Sequence, residues 1–460
     1  MKNISSYQNK QVLVIGMGKS GVNSAKLLVK LGAQVIVNDK TDQPNQSQVD
    51  ELKKIGVKVV TGSHPLELLD GTTTVVKNPV VPYDNLLVAK AIEEKIPVIT
   101  EPELAYQVLD ATMIGITGTN GKTTTTTMIT EMLNRNRSKG KAYAAGNIGI
   151  PTTQIAQQAT ADDVMVTELS SFQLMGIKTL HPHIAVLTNI YEAHTDWHGS
   201  HANYVNAKMR ILMNQTADDY FVVNWDNEEA RQFSKHTQAT VVPFSREDQT
   251  EAGAYEKDGV LYFKGEKIID ADQIGVPGSH NVENALAAIA AAKLMGQSAE
   301  NIKEVLQQFT GVRHRMQYVT TFNERKFYND SKATDIEATQ KALDGFNQPV
   351  VLLAGGLDRG FNKFDRLVPY FKKHVRALVV FGETADLMAD AGKQAGIKEI
   401  VKTENAVTAV PEAYRLSKPG DVILLSPACA SWDQWPTFEV RGDQYIKAVE
   451  DLIKKMEEAK

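Results

Sequence analysis

The chain has 460 residues, 50 lysines and arginines against 55 aspartates and glutamates, a formal charge of −5, 42% hydrophobic residues and one cysteine. That length exceeds what a single hydrophobic core serves, so two to four globular domains are expected. The charge balance excludes a field that gathers nucleic acid, lone Cys429 excludes a disulfide framework, and with no signal-like start or membrane-length apolar run a cytoplasmic protein without membrane insertion is expected.

In chain order, the runs QVLVIGMG, AQVIVND and TTVVKNP alternate with the helical patterns SGVNSAKLLVKLG and DNLLVAKAIEEKI. Such alternation is the mark of βαβ units around a parallel sheet. A second series opens at ATMIGITG, continues through KTTTTTMITEMLNRN, and carries the strand-like runs DVMVTELS, HIAVLTNI and DYFVVN. It ends in a hairpin pattern, GVLYFKGEKIID, then the alanine-rich helix NVENALAAIAAAKLMG and a further helix stopping near FTGV. A third series follows through KFYND, PVVLLAGG, ALVVFGE and DVILLSPA. The expected fold is therefore α/β in three domains, residues 1–105, 106–311 and 312–460.

The sharpest motif is GITGTNGKTT, between an apolar strand and a helix. A glycine turn and a helix N-terminus present N–H groups to phosphate oxygens, Lys122 can neutralise β/γ charge, and Thr123 can ligate Mg²⁺, which outlines an ATP site. The spacing departs from the strict phosphate loop, which wants glycine where Ile116 stands. Nearer the start, Gly16, Gly18 and Gly21 form G-x-G-x-x-G, with Asp39 ending the next strand. Alone this reads either as a nicotinamide dinucleotide site or as glycines that merely let helix and sheet pack closely. Glu168 and His194 fall at ends of apolar strands, within reach of a metal at the phosphate loop. The other histidines nearby (His181, His183, His198, His201) lack a compact ligand spacing and read as solvated loop residues. Asn281 and Asn284 open a helix, where local rules favour capping over base recognition. Arg313 and Arg315 are either solvated or a phosphate clamp, and Asp330, Lys332 and Thr334 follow a strand where open α/β sheets bind ligands. Cys429 has no neighbouring base and reads as a small buried hydrophobe.

Taken in order, GTNGKTT, AAGNIG, ELSSFQ, NIYEAHTDWHGS, YVNAKMRIL, GSHNVENALAA, GVRHR, NDSKATD, AGGLDRG and SPACASWDQ make the chain resemble the Mur ligase family over nearly its whole length. The resemblance implies an N-terminal Rossmann-like domain for a UDP moiety, a central P-loop-type ATPase and a C-terminal Rossmann-like domain that closes on an amino acid. SSFQ, NDSKATD and SPACASWDQW look most like members that add D-glutamate to UDP-N-acetylmuramoyl-L-alanine through an acyl phosphate. It reassigns the first glycine turn to UDP, with Gly18, Lys19, Ser20, Asp39, Lys40 and Asn78 as contacts, although Val80 stands where the family commonly has glycine. It implies ATP at Gly118, Thr119, Asn120, Gly121, Lys122, Thr123 and Thr124, with Asn281, Asn284, Arg315 and Asp330 completing the nucleotide site. Two Mg²⁺ ions are implied, held by Thr123, Glu168, His194 and Lys208, the lysine as a carbamate. Asn147 is placed by the activated carboxylate. Thr334 and Arg359 are matched to the acceptor's α-carboxylate, and Ser431 and Phe438 to its side-chain carboxylate, with Lys332 close by. A monomer is expected. The rival readings are a Mur ligase with another acceptor and, from a different class, a nicotinamide dehydrogenase.

Overall fold

The computed structural model describes residues 1–42, 44–358 and 364–458. Arg359, matched above to an acceptor carboxylate, lies outside the described residues.

The first sheet comprises β1 (Gln11–Ile15), β2 (Gln34–Asp39), β3 (Lys58–Thr61), β4 (Thr72–Lys77) and β5 (Val98–Thr100), in the order β3-β2-β1-β4-β5 with every pair parallel. Its strands are valine- and isoleucine-rich because helices cover both faces, so neither side of the pleat meets water. The second sheet contains β6 (Thr112–Thr117), β7 (Ala142–Gly146), β8 (Val164–Glu168), β9 (Ile184–Leu187), β10 (Tyr220–Asn224), β11 (Thr240–Ser245), β12 (Ala254–Lys257), β13 (Val260–Phe263) and β14 (Glu266–Asp270). Its order is β14-β13-β12-β11-β10-β9-β6-β8-β7, parallel from β7 to β12 and antiparallel through the last two strands. Because the chain leaves β6 for β7 and β8 on one side and then crosses to β9 on the other, the strand order reverses around β6. The crevice at such a reversal is where open α/β sheets bind ligands.

The third sheet has β15 (Gln317–Phe322), β16 (Arg325–Asn329), β17 (Val350–Gly355), β18 (Val375–Phe381), β19 (Glu399–Lys402) and β20 (Val422–Leu425), ordered β15-β16-β20-β17-β18-β19. Only the β15–β16 pair is antiparallel. Here β20 inserts between β16 and β17, so the loops after those three strands converge.

The chain divides into two compact units, Met1–Gln273 with His280–Gln307, and Ile274–Ser279 with Gln308–Lys460. Within the first, one hydrophobic cluster runs from Val12 and Val14 of the first sheet to Met165, Leu187 and Phe221 of the second. The helix Glu101–Val108 joins the two sheets, and its buried Glu103 accepts hydrogen bonds from the backbone N–H groups of Lys178, Thr179 and Leu180 at 2.9–3.0 Å. The second unit has its own clusters on the two faces of its sheet. No helix among the described residues is long and apolar enough to cross a membrane.

Candidate functional site

The phosphate-type turn leaves β6 at Gly118 and enters the helix Lys122–Asn134 through Gly121. Ile116 is a fully buried strand residue, and the turn falls at Gly118, which takes a φ of +146°; the displaced glycine is thus accounted for by a shorter turn. Gly121 sits at φ +82° with no side-chain cap over the helix start, and a Cβ there would stand 2.2 Å from Asn284 Oδ1. Both the backbone conformation and the close approach demand glycine. The turn is braced from β9: Asn189 accepts from Thr119 N through its carbonyl and from Asn120 N through Oδ1, each at 2.9 Å, and Thr188 Oγ1 donates to Asn120 O at 2.6 Å.

Two lysines converge on this turn. Lys122 Nζ donates to Gly118 O at 2.9 Å and Thr119 O at 2.8 Å, and Lys208 Nζ, from the helix His201–Met209, donates to Gly118 O at 2.7 Å. Lys208 is 2% exposed and lies over the Tyr204 ring. Burial, reinforced by the Lys122 charge and opposed by Glu168, holds its ammonium well below the usual lysine range. Glu168, at the end of β8, is also buried; Oε1 accepts from Asn147 Nδ2 at 2.8 Å, whereas buried Oε2 has no hydrogen-bond partner. His194 stands in the left-handed region just before the short helix Thr195–His198. It faces the Phe172 ring at 5.3 Å. Phe172 belongs to the SSFQ turn, a capping box between Ser170 and Gln173, and also packs on Trp197 and His198, so that motif builds the aromatic floor beneath His194. The remaining histidines are otherwise engaged: His181 and His183 share Asp219, and His201 meets Glu229. Among the described residues no cluster of three or more His, Cys, Asp or Glu side chains is arranged to hold a metal.

Asn281 and Asn284 lie inside the helix Ser279–Leu294, which starts two residues before the first of them, so neither caps it. Both are buried; Asn284 Oδ1 accepts from Thr125 Oγ1 and its Nδ2 donates to Asn281 Oδ1. In this arrangement Asn284 backs the phosphate turn.

At the first sheet, Gly18 precedes the helix Lys19–Lys30, and a Cβ on Gly21 would stand 1.9 Å from Gly16 O, so the third glycine of the fingerprint is fixed by helix–strand contact. Lys19 and Lys40 are exposed and Ser20 is half-buried. Asp39 is committed to the turn itself, accepting from Met17 N at 2.6 Å and Thr41 N at 3.0 Å. The Asn78 side chain packs against Gly16 and Gly18. Beneath it lies Lys77, fully buried, whose Nζ donates to the carbonyls of Pro79 and Val81 at 3.1 and 2.8 Å; burial pulls it down to about 8. Val80 is exposed and outside the residues with positive φ, so the backbone there does not require glycine.

In the second unit, Asp330 follows β16. Its Oδ1 accepts from Met316 N at 3.1 Å and its Oδ2 from Ser426 Oγ at 2.8 Å, and burial pushes its carboxyl up to about 7. Arg315 lies on the adjacent turn, whose closing bond runs from its N–H to Val312 O, while exposed Arg313 pairs with Asp443. Lys332 Nζ lies 5.9 Å from the Phe438 ring centre, and Thr334 follows in the same loop. Ser431 is 1% exposed and its Oγ has no partner. Phe438 opens the helix Phe438–Glu458, and its carbonyl accepts from Ser331 Oγ at 2.7 Å. Cys429 is buried with its thiol pushed up to about 11, the character of a packing residue rather than a nucleophile. The sequence did not single out Thr188, Asn189, Tyr204, Phe172, Lys77 or Arg441. All follow strands or sit near motifs that were noted, but their roles come from tertiary contacts that no spacing encodes.

A braced glycine turn, an uncapped helix start and two converging lysines define an α/β protein with a phosphate-loop central domain. Family models described as Mur ligase MurD-like, N-terminal domain, as Mur ligase middle domain and as Mur ligase, glutamate ligase domain match residues 10–100, 116–292 and 314–429. The chain is 65% identical over 458 residues to the UDP-N-acetylmuramoylalanine--D-glutamate ligase of Ligilactobacillus salivarius, and 63% identical over 459 residues to that of Lactiplantibacillus plantarum, each match covering 100% of both proteins. Among solved structures it resembles the UDP-N-acetylmuramate-alanine ligase MurC of Thermotoga maritima, with a TM-score of 0.59 at 19% identity over 96% of this chain and 99% of that one. It also resembles a MurF ligase from Thermotoga maritima in complex with ADP, with a TM-score of 0.56 at 15% identity over 99% of this chain and 98% of that one. The chain belongs to the Mur ligase family.

Proposed function

We propose that this chain is an ATP-dependent ligase that joins D-glutamate to UDP-N-acetylmuramoyl-L-alanine, a cytoplasmic step of peptidoglycan synthesis, with domains divided near residues 105 and 312. The observation that carries the reading is the convergence of Lys122, Lys208 and the unpartnered Glu168 oxygen around the glycine turn at the strand reversal. The full-length identity to relatives named for this reaction supports the choice of substrates.

The reaction must bring two anions together: the γ-phosphoryl group of ATP passes to the alanine carboxylate, giving an acyl phosphate and ADP. The D-glutamate amine then adds to the acyl carbon, and the tetrahedral intermediate expels phosphate. Gly118 to Thr124 would hold the phosphates and Lys122 would spread the transferring charge, the main contribution a protein makes to phosphoryl transfer. Asn281, Asn284, Arg315 and Asp330 would complete the nucleotide site, and Gly18, Lys19, Ser20, Asp39, Lys40 and Asn78 the UDP site, Asp39 by shaping its turn. Asn147, tied to Glu168, would face the activated carboxylate. Lys332, Thr334, Arg359, Ser431 and Phe438 would receive the acceptor's two carboxylates.

A buried carboxylate oxygen without a partner suits an oxygen-preferring divalent cation, and Thr123 lies at the start of the helix that follows the glycine turn, so Thr123 and Glu168 would hold one Mg²⁺ and Glu168, His194 and Lys208 a second. Bound there, Mg²⁺ supplies Lewis-acid neutralisation of the phosphate oxygens. Burial disfavours the Lys208 ammonium, and a neutral amine is the form that adds CO₂ to become an anionic carbamate ligand.

ADP release with UDP-N-acetylmuramoyl-L-alanine and, separately, D-glutamate, L-glutamate, L-lysine or meso-diaminopimelate tests the reading. Turnover with D-glutamate alone is expected; turnover with another acceptor would overturn the acceptor assignment, and none with any would overturn the class of reaction.

A further inference from the structure

Arg441 is among the largest fully buried side chains of the described residues, at 0% exposure. Its Nε donates to Ser331 Oγ at 3.0 Å and its Nη2 to Ser331 O at 2.8 Å and Cys429 O at 3.0 Å. It therefore ties together the loop after β16, the loop after β20 and, because the Ser331 hydroxyl in turn donates a hydrogen bond to Phe438 O, the start of its own helix. Those three segments carry Lys332, Thr334, Ser431 and Phe438. Nη1 is buried without a partner beside the Gly356 turn that follows β17. No acidic side chain among the described residues forms an ion pair with it; Asp433 and Asp330 act on it only at longer range.

A buried guanidinium lacking a carboxylate is costly. Burial draws Arg441 down to about 10, which still leaves it charged at neutral pH. Ser431 Oγ, unpartnered and equally buried, lies in one of the loops that Arg441 anchors. A purely structural cross-link would be served by a neutral donor; a persistent positive charge behind the acceptor loops, with no carboxylate of the described residues in direct contact and only Asp433 and Asp330 at longer range, favours a further anion there.

On the function proposed above, we propose that Arg441 is a positioning residue for the acidic acceptor: it fixes the Ser331–Phe438 link and the Ser431 loop, and its charge, which no carboxylate of the described residues contacts directly, selects a carboxylate side chain over a neutral one.

Steady-state kinetics of wild type, Arg441→Met and Arg441→Lys, each with its thermal midpoint, test this. Arg441→Met is expected to raise KM for D-glutamate at least tenfold while kcat and KM for ATP stay within about twofold, and Arg441→Lys should recover part of the loss. Should Arg441→Met not yield folded protein, Ser331→Ala, which cuts the relay to Phe438, should raise the same KM severalfold without moving KM for ATP. An unchanged KM for D-glutamate in folded variants, or an equal deterioration of every parameter, overturns the assignment. Wild type that releases no ADP with D-glutamate overturns instead the function on which it rests.

Discussion

Gly121, Lys208 and Asp330 show how single positions carry the site. Gly121 combines a left-handed backbone with a 2.2 Å approach of Asn284 to any added Cβ. Gly121→Ala should cost about 1–3 kcal/mol, the range for backbone strain of this kind, and reduce nucleotide affinity more than tenfold, as measured by denaturant unfolding and by ADP titration. Lys208 is held where its ammonium is disfavoured. Since arginine remains protonated, Lys208→Arg should lose at least a hundredfold in kcat even though charge and length are roughly kept. Asp330 has a folded-state pKa of about 7, above the ordinary carboxylate value. Its protonated form is the one favoured by folding, so its contribution is full below about pH 4 and is lost as pH rises through 7, at a slope of up to about 1.4 kcal/mol per pH unit. Asp330→Asn should flatten that fall in the thermal midpoint of the second unit; an unchanged pH profile would show that Asp330 is ionised when folded. At this scale the glycine and carboxylate positions were legible from residue type and placement after strands, whereas Lys208, on a helix, was reached only through the family resemblance. Thr188, Asn189 and Arg441 were not, because bracing and burial depend on segments far apart in the chain.

Among the elements, several strands of five or six residues rich in apolar or β-branched side chains were read from sequence nearly to their ends: β1, β2, β4, β6 and β17 each coincide with a run marked by alternation with helices. The short strands β3, β5 and β7, three to five residues long, carried too little pattern to distinguish from loop and are defined by their neighbours. The hairpin β13–β14 was legible through its glycine turn, whereas β12 beside it was not. Helix Glu101–Val108 reveals more. Acidic residues in its first turn suit the helix dipole, yet Glu103 is directed at three consecutive N–H groups of the central domain, and Glu101 meets Thr152 and Thr153. A connector with two buried carboxylates acts as a weld. Glu103→Ala should destabilise the first unit by about 3 kcal/mol, since it strips a charged acceptor from several buried donors, and urea denaturation would read that loss directly.

Over the whole molecule, three α/β series in the sequence became three sheets, but the grouping of those sheets was not visible. Apolar residues are marked as buried by pattern; which other segment buries them is not. The continuous cluster through Val14, Met165 and Leu187 makes the first two sheets one cooperative body, while the third has separate clusters. Differential scanning calorimetry should accordingly resolve two transitions, with Glu103→Ala lowering one and Asp330→Asn altering the pH dependence of the other. The same arrangement imposes an order on synthesis. The phosphate turn emerges from the ribosome early, but Asn284, which stands behind Gly121, belongs to a helix made only after all nine strands of the central sheet. A nascent chain halted before that helix owns the lysine and the glycines yet lacks their backstop, so a fragment ending near residue 275 should hold ADP more weakly than the full chain, which titration of the two side by side would read.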